Sequence, residues 1–204
     1  MKRALILVDL QNDFVPGGAL AVAEGDQAVP VANAAQTKFD LIVATQDWHP
    51  GNHGSFACNH PGRHIGEVID LDGIPQILWP AHCVQGSTGA EFHAAFDLSR
   101  VVRVFRKGTD PSIDSYSGFF DNGHRKATGL GDFLKEQSVT DVYILGLATD
   151  YCVKYTALDA IGLGFKTFVV ADGSRAVNLD PGDEAAAIDE MKRAGATIVQ
   201  SAAL

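Results

Sequence analysis

Short apolar runs that alternate with helical patterns constrain this chain most. The runs are Ala4–Leu10, Leu41–Thr45, Val101–Phe105, Val142–Leu147 and Lys166–Ala171, with a weaker sixth at Thr197–Gln200. They are rich in Val, Ile, Leu and Phe and do not alternate cleanly with polar residues, as strands covered on both faces do not. Helical patterns occupy about Ala28–Lys38, Leu130–Gln137, Cys152–Gly162 and Asp183–Arg193. The last opens on Asp183 and Glu184, closes on Lys192 and Arg193 and is followed by Gly195, which suits the helix dipole and a C-terminal stop. Strand and helix in alternation predict βαβ units. The expected fold class is therefore α/β: a doubly wound, mostly parallel six-stranded sheet with helices on both faces, in one domain over residues 1–204.

Composition narrows the function. With 46% hydrophobic and 20% charged residues the chain has material for a core and is not a disordered segment. Its apolar runs fall far short of the roughly 18 residues a membrane span needs. The stretch Ala4–Val8 is also too short for a signal peptide before Asp9 interrupts it. A formal charge of −9 argues against nucleic acid or an anionic membrane as the main partner. Cys58, Cys83 and Cys152 are an odd number without a C-x-x-C pair, so a reducing, cytoplasmic setting is expected. Cys58 and Cys83 are expected to be structural or incidental. The expected partner is a small molecule, with a homodimer as the one self-association kept open.

Residues 46 to 100 break the rhythm. They show little periodicity, contain Pro50, Pro61, Pro75 and Pro80, and hold six of the seven histidines. A loop this long inside a compact domain is usually functional. Ligands of open α/β sheets bind beyond the carboxyl ends of the strands. There the sequence places Asp9, then Asp47-Trp48-His49, then Arg106-Lys107-Gly108, then Ala148-Thr149-Asp150-Tyr151-Cys152 at a helix start. A thiol at a helix N-terminus is favoured as thiolate. With Lys107 as a positive charge and Asp9 as a proton carrier, Cys152 suits covalent catalysis. Asp47 and His49 lie two apart, so both face the same side of an extended backbone. With one more imidazole, from His82, His53, His60 or His64, they form a mixed set for a divalent ion with open positions, such as Zn or Fe. Phe14, Trp48, Trp79, Tyr116 and Phe119 are candidate walls for a flat ligand. Neither Gly17-Gly18 nor Gly86–Gly89 forms a phosphate-binding loop.

Val8-Asp9-Leu10-Gln11-Asn12-Asp13-Phe14, Asp47-Trp48-His49-Pro50, Trp79-Pro80-Ala81-His82-Cys83-Val84, Arg106-Lys107-Gly108 and Ala148-Thr149-Asp150-Tyr151-Cys152-Val153 occur in the order and spacing of a known family. From residue 4 to about 172 the chain resembles the nicotinamidase branch of the isochorismatase-like cysteine hydrolases. The stretch Asp114-Ser115-Tyr116-Ser117-Gly118-Phe119-Phe120 is similar to the same branch.

The resemblance implies a catalytic triad of Asp9, Lys107 and Cys152 and metal ligands Asp47, His49 and His82, holding one divalent ion (Zn or Fe, with Mn as a third option). It leaves His53 open as a fourth ligand, because its gap from His49 is short. It implies a cis peptide between Leu147 and Ala148, an oxyanion hole from the N–H groups of Ala148 and Cys152, and Phe14, Trp79 and Tyr116 flanking a substrate ring. The implied reaction is hydrolysis of nicotinamide to nicotinate and ammonia through a cysteine thioester, within NAD salvage, with another small amide as the alternative substrate. A non-catalytic metal or thiol module and a hydrolase using metal-bound water are the competing expectations. The second of these would survive loss of Cys152.

Overall fold

In a computed structural model, which describes residues 2–204, six strands form one parallel sheet. They are β1 (Lys2–Val8), β2 (Leu41–Asp47), β5 (Arg103–Lys107), β6 (Val139–Leu147), β7 (Lys166–Arg175) and β8 (Thr197–Val199), in the order β5-β2-β1-β6-β7-β8. Every neighbouring pair in this sheet is parallel. In the central register Ile6 lies opposite Val43 on one side and Ile144 on the other. The helices are α1 (Ala28–Gln36), α2 (Leu130–Glu136), α3 (Lys154–Gly162) and α4 (Asp183–Ala194).

Alternation along β1 explains the layers. Ala4, Ile6 and Val8 join a core with Leu130, Leu134, Ala157, Ala160 and Met191, from α2, α3 and α4. Leu5 and Leu7 point the other way, into a core with Val29, Ala32 and Ala35 of α1 and with Cys83, Ala90 and Phe96 of the long connection. That connection thus covers one sheet face where a further helix would otherwise lie. Pro30 sits in the first turn of α1, where its missing N–H removes no intrahelical bond.

Several elements differ in their bounds from the sequence expectation, three of them through strand pairing. The third strand runs Arg103–Lys107 rather than Val101–Phe105, because β5 is the sheet edge and its polar end still pairs with Gln46 and Asp47 of β2. The fifth extends to Arg175, past Ala171, because a register break between Ile144 and Gly146 lets Ser174 and Arg175 re-pair with Gly146 and Leu147. The segment 46–100 contains a separate antiparallel hairpin, β3 (Val68–Leu71) with β4 (Ile74–Ile77).

Candidate active site

The sheet order sets the site. β1 stands between β2 and β6, so successive connections leave it in opposite directions and open a crevice at its carboxyl end. Asp9, Asp47 and Lys107 lie at or just beyond the ends of β1, β2 and β5. Cys152 follows β6, in the π-helical turn Thr149–Val153 that leads into α3. Asp9 takes a left-handed backbone, φ 47°, and turns its carboxylate inward. Gly146 permits the close approach of β1 and β6: a Cβ there would lie 2.1 Å from the Val8 carbonyl oxygen. The peptide joining Leu147 and Ala148 is cis.

Lys107 is the hub. Its Nζ lies 2.8 Å from Asp9 Oδ2 and 2.5 Å from Asp47 Oδ1, and donates to the Ser115 carbonyl at 3.0 Å and to Cys152 Sγ at 3.3 Å. Thr45 Oγ1 donates to Asp9 Oδ1 at 2.6 Å. All of these side chains are buried. Burial works against the Lys107 ammonium, but Asp47 and Asp9 outweigh it and hold the group well above its ordinary range. Burial raises Asp9 against the pull of Lys107. It also pushes the Cys152 thiol well above its ordinary value, with Lys107 offsetting this only in part. Burial and the carboxylates of Asp9 and Asp47 thus oppose the thiolate expected at a helix N-terminus, and Lys107 favours it.

Beside this hub, Asp47 Oδ2 faces His49 Nε2 at 3.6 Å and His82 Nε2 at 4.0 Å. One ligand atom from each of these residues lies within 4.8 Å of the others. The Nδ1 atoms of His49 and His82 each donate to a backbone carbonyl at 2.8 Å, that of Gly108 and that of Pro80. A carbonyl can only accept, so in the neutral ring each Nε2 is left bare toward Asp47. Burial lowers His82 to about 4, which keeps it neutral. Asp47 and Asp114 raise His49 against its burial. Gly108 is tightly required: with φ +63°, a Cβ there would lie 2.3 Å from the His49 ring. Of the other imidazoles weighed, His53 is buried at the cluster and its Nε2 has no partner, and with His49 and Asp114 it forms a second convergent set. His60 Nε2 is tied to the Gly54 carbonyl at 2.7 Å, and His64 lies exposed beside Glu67. Those two are not brought to the site.

An open, largely apolar pocket lies above Cys152 and His82. Phe14, Trp79 and Tyr116 line it, as does Ala148. Trp48 does not; its ring lies under the Arg106 guanidinium, 3.9 Å from ring centre to Cζ. Phe119 is core, stacked on Phe165. Sequence reasoning missed Leu20, Asp114, Tyr151 and Val177, which complete the lining. Tyr151 and Asp114 stand next to residues already singled out; Leu20 and Val177 carry no sequence signal. Cys83 is buried and Cys58 exposed, and both are free thiols.

An acid, an ammonium and a thiol gathered beneath an apolar pocket at the carboxyl edge of the sheet mark an α/β enzyme site. A model of the isochorismatase domain matches residues 3–203, and the chain belongs to that family. It is 52% identical over 200 residues to a nicotinamidase of Escherichia coli (strain K12), covering 96% of this chain and 93% of that protein. Among solved structures, an Acinetobacter nicotinamidase/pyrazinamidase superposes with a TM-score of 0.96 at 46% identity, over 99% of this chain and 97% of that one. The pyrazinamidase of Pyrococcus horikoshii, crystallised in complex with zinc, gives a TM-score of 0.80 at 42% identity, over 98% and 99% of the two chains. No helix among the described residues is long and apolar enough to cross a membrane.

Proposed function

We propose that the chain hydrolyses nicotinamide to nicotinate and ammonia, with Cys152 as nucleophile, Asp9 as proton carrier and Lys107 as the charge that holds both. The contact of the Lys107 ammonium with Asp9, Asp47 and Cys152 beneath the apolar cavity carries this reading. Cys152 Sγ bonds to the amide carbon while its proton passes to Asp9, whose raised affinity for a proton suits an acceptor working beside a thiol. The N–H groups of Ala148 and Cys152 receive the oxyanion; removing one such donor typically costs about 10²–10³ in rate. Asp9 then protonates the leaving nitrogen as the C–N bond breaks, and ammonia departs. The same carboxylate takes a proton from water, whose oxygen bonds to the thioester carbon; the C–S bond then breaks, Asp9 returns the proton to Cys152 Sγ, and the acid leaves.

The residues fit a divalent ion. Three buried donors with bare Nε2 atoms or a carboxylate oxygen converge, and His53 Nε2 is a buried nitrogen without a partner beside them. Asp9 and Asp47 lie against the single ammonium of Lys107, and Asp114 Oδ1 lies 4.0 Å from His49 Nε2, so two added positive charges would balance the three buried carboxylates. Asp47, His49 and His82 would hold the ion, with His53 as the further candidate, and the imidazole–carboxylate set suits Zn, Fe or Mn. When bound, it supplies a Lewis acid that fixes a ring nitrogen and so orients the carboxamide. Phe14, Trp79 and Tyr116 then sandwich the ring, and the acid product feeds NAD salvage.

Rapid-quench intact-mass analysis with nicotinamide tests the covalent step. A nicotinoyl adduct on wild type that is absent from Cys152→Ala is the expected result; turnover by Cys152→Ala would exclude the thioester.

A further inference from the structure

We propose that Asp150 is a positioning residue that clamps the outer wall of the ring pocket, residues 176–178, onto the turn carrying Cys152. β7 ends at Arg175 and α4 begins at Asp183, and the chain between them passes the cavity, with Val177 in its lining. Asp150, only 4% exposed and two residues before the nucleophile, reaches across to this segment. One of its carboxylate oxygens accepts from Val177 N at 2.9 Å and the other from Asn178 N at 2.8 Å. Asn178 adopts a left-handed φ of 52°, and its Oδ1 accepts from Glu184 N at 3.0 Å, joining the same wall to the first turn of α4. The nucleophile turn has its own backbone ties, from Tyr151 N and Val153 N to the Ala148 carbonyl. Asp150 is therefore not needed to form that turn; its carboxylate is spent on the wall.

The chemistry requires an acid here. Two N–H donors meet two oxygens, and an amide offers one acceptor and a second donor, so Asp150→Asn leaves a backbone N–H facing an NH₂. A wall held this way presses Val177 on a flat ligand seated above Cys152. The ligand's identity as a pyridine carboxamide rests on the proposed function, but the clamp itself does not.

The test uses metal-loaded enzyme, with pyridine-3-carboxylate as the binding probe. In Asp150→Asn the Val177 and Asn178 amides should exchange hydrogen at least about tenfold faster, and the probe's Kd and the KM for nicotinamide should rise about tenfold, with kcat within about threefold. Val177→Ala should weaken the probe while leaving the exchange of both amides slow. Exchange and affinity in Asp150→Asn equal to wild type would overturn the clamp. If Asp150→Asn does not fold, wild type decides: the probe should slow exchange at Val177 and Asn178, and unchanged exchange would overturn the proposal. Wild type that releases no ammonia from nicotinamide would reject the proposed function, while the exchange data would still decide the clamp.

Discussion

At the residue scale, Lys107 links two groups of side chains drawn from positions spread between Asp9 and Cys152. Its ammonium touches Asp9 and Cys152 on one side and Asp47 on the other, so the proton-transfer groups and the cation ligands share one counter-charge. Lys107→Met leaves two buried carboxylates without it, and breaking a buried pair typically costs about 3–5 kcal/mol. We expect a lower melting temperature by calorimetry as well as loss of turnover; an unchanged melting temperature would show that the pairs carry little. Gly108→Ala places a methyl against the His49 ring, so metal content by elemental analysis should fall with the far-ultraviolet circular dichroism unchanged. Full metal content in that variant would remove His49 from the ligand set. Asp9, Asp47, His49, Lys107 and Cys152 were legible because each follows an apolar run that reads as a strand, and strand ends converge. His82 was not separable from His53, His60 and His64 by spacing alone, since imidazoles in a long connection carry no periodicity. In the structure, a bond to the Gly54 carbonyl sets His60 aside and exposure sets His64 aside, while His53 stays beside His82 as a candidate.

At the element scale, hydrophobic pattern locates strands and helices but not their pairing. β7 runs on to Arg175 because Gly146 re-pairs with Ser174 after a register break, and no apolar residue marks that extension. β5 is displaced toward Lys107 because hydrogen bonding to β2, rather than burial, defines an edge strand. Where burial dominates, the sequence is read easily: Leu130 and Leu134 of α2 pack fully buried against Val142 and Ile144 of β6. Leu134→Ala should cost about 2–5 kcal/mol in urea unfolding. α2 supplies no lining to the cavity, so activity per folded molecule should stay unchanged. Reduced activity per folded molecule would mean that the core strands transmit strain to the site. The π-helical turn at Cys152 was the least legible element: the sequence pattern starts the helix at Cys152, whereas Thr149–Val153 form a wider turn, closed from Val153 N to the Ala148 carbonyl, before α3 begins at Lys154.

At the scale of the whole molecule, the connection of residues 46 to 100 covers one face of the sheet, supplies the pocket with Trp79 and His82, and brings His49 and His53 to the cluster of donors beside it. Stability and the cation should therefore be coupled. A ligand that binds only the folded state at 100 times its Kd adds about 2.7 kcal/mol. Chelation should lower the melting temperature by several degrees, and one equivalent of Zn²⁺, Fe²⁺ or Mn²⁺ should restore it. A melting temperature indifferent to chelation and reloading would separate the ligand cluster from the fold.

The most direct test of the account is the rate of ammonia release from nicotinamide by metal-loaded wild type and by Cys152→Ala. Release by wild type and none above background by the variant, with equal metal content in both, is the expected result. Equal release by the two proteins would contradict it, because the thiol would then have no part in breaking the amide.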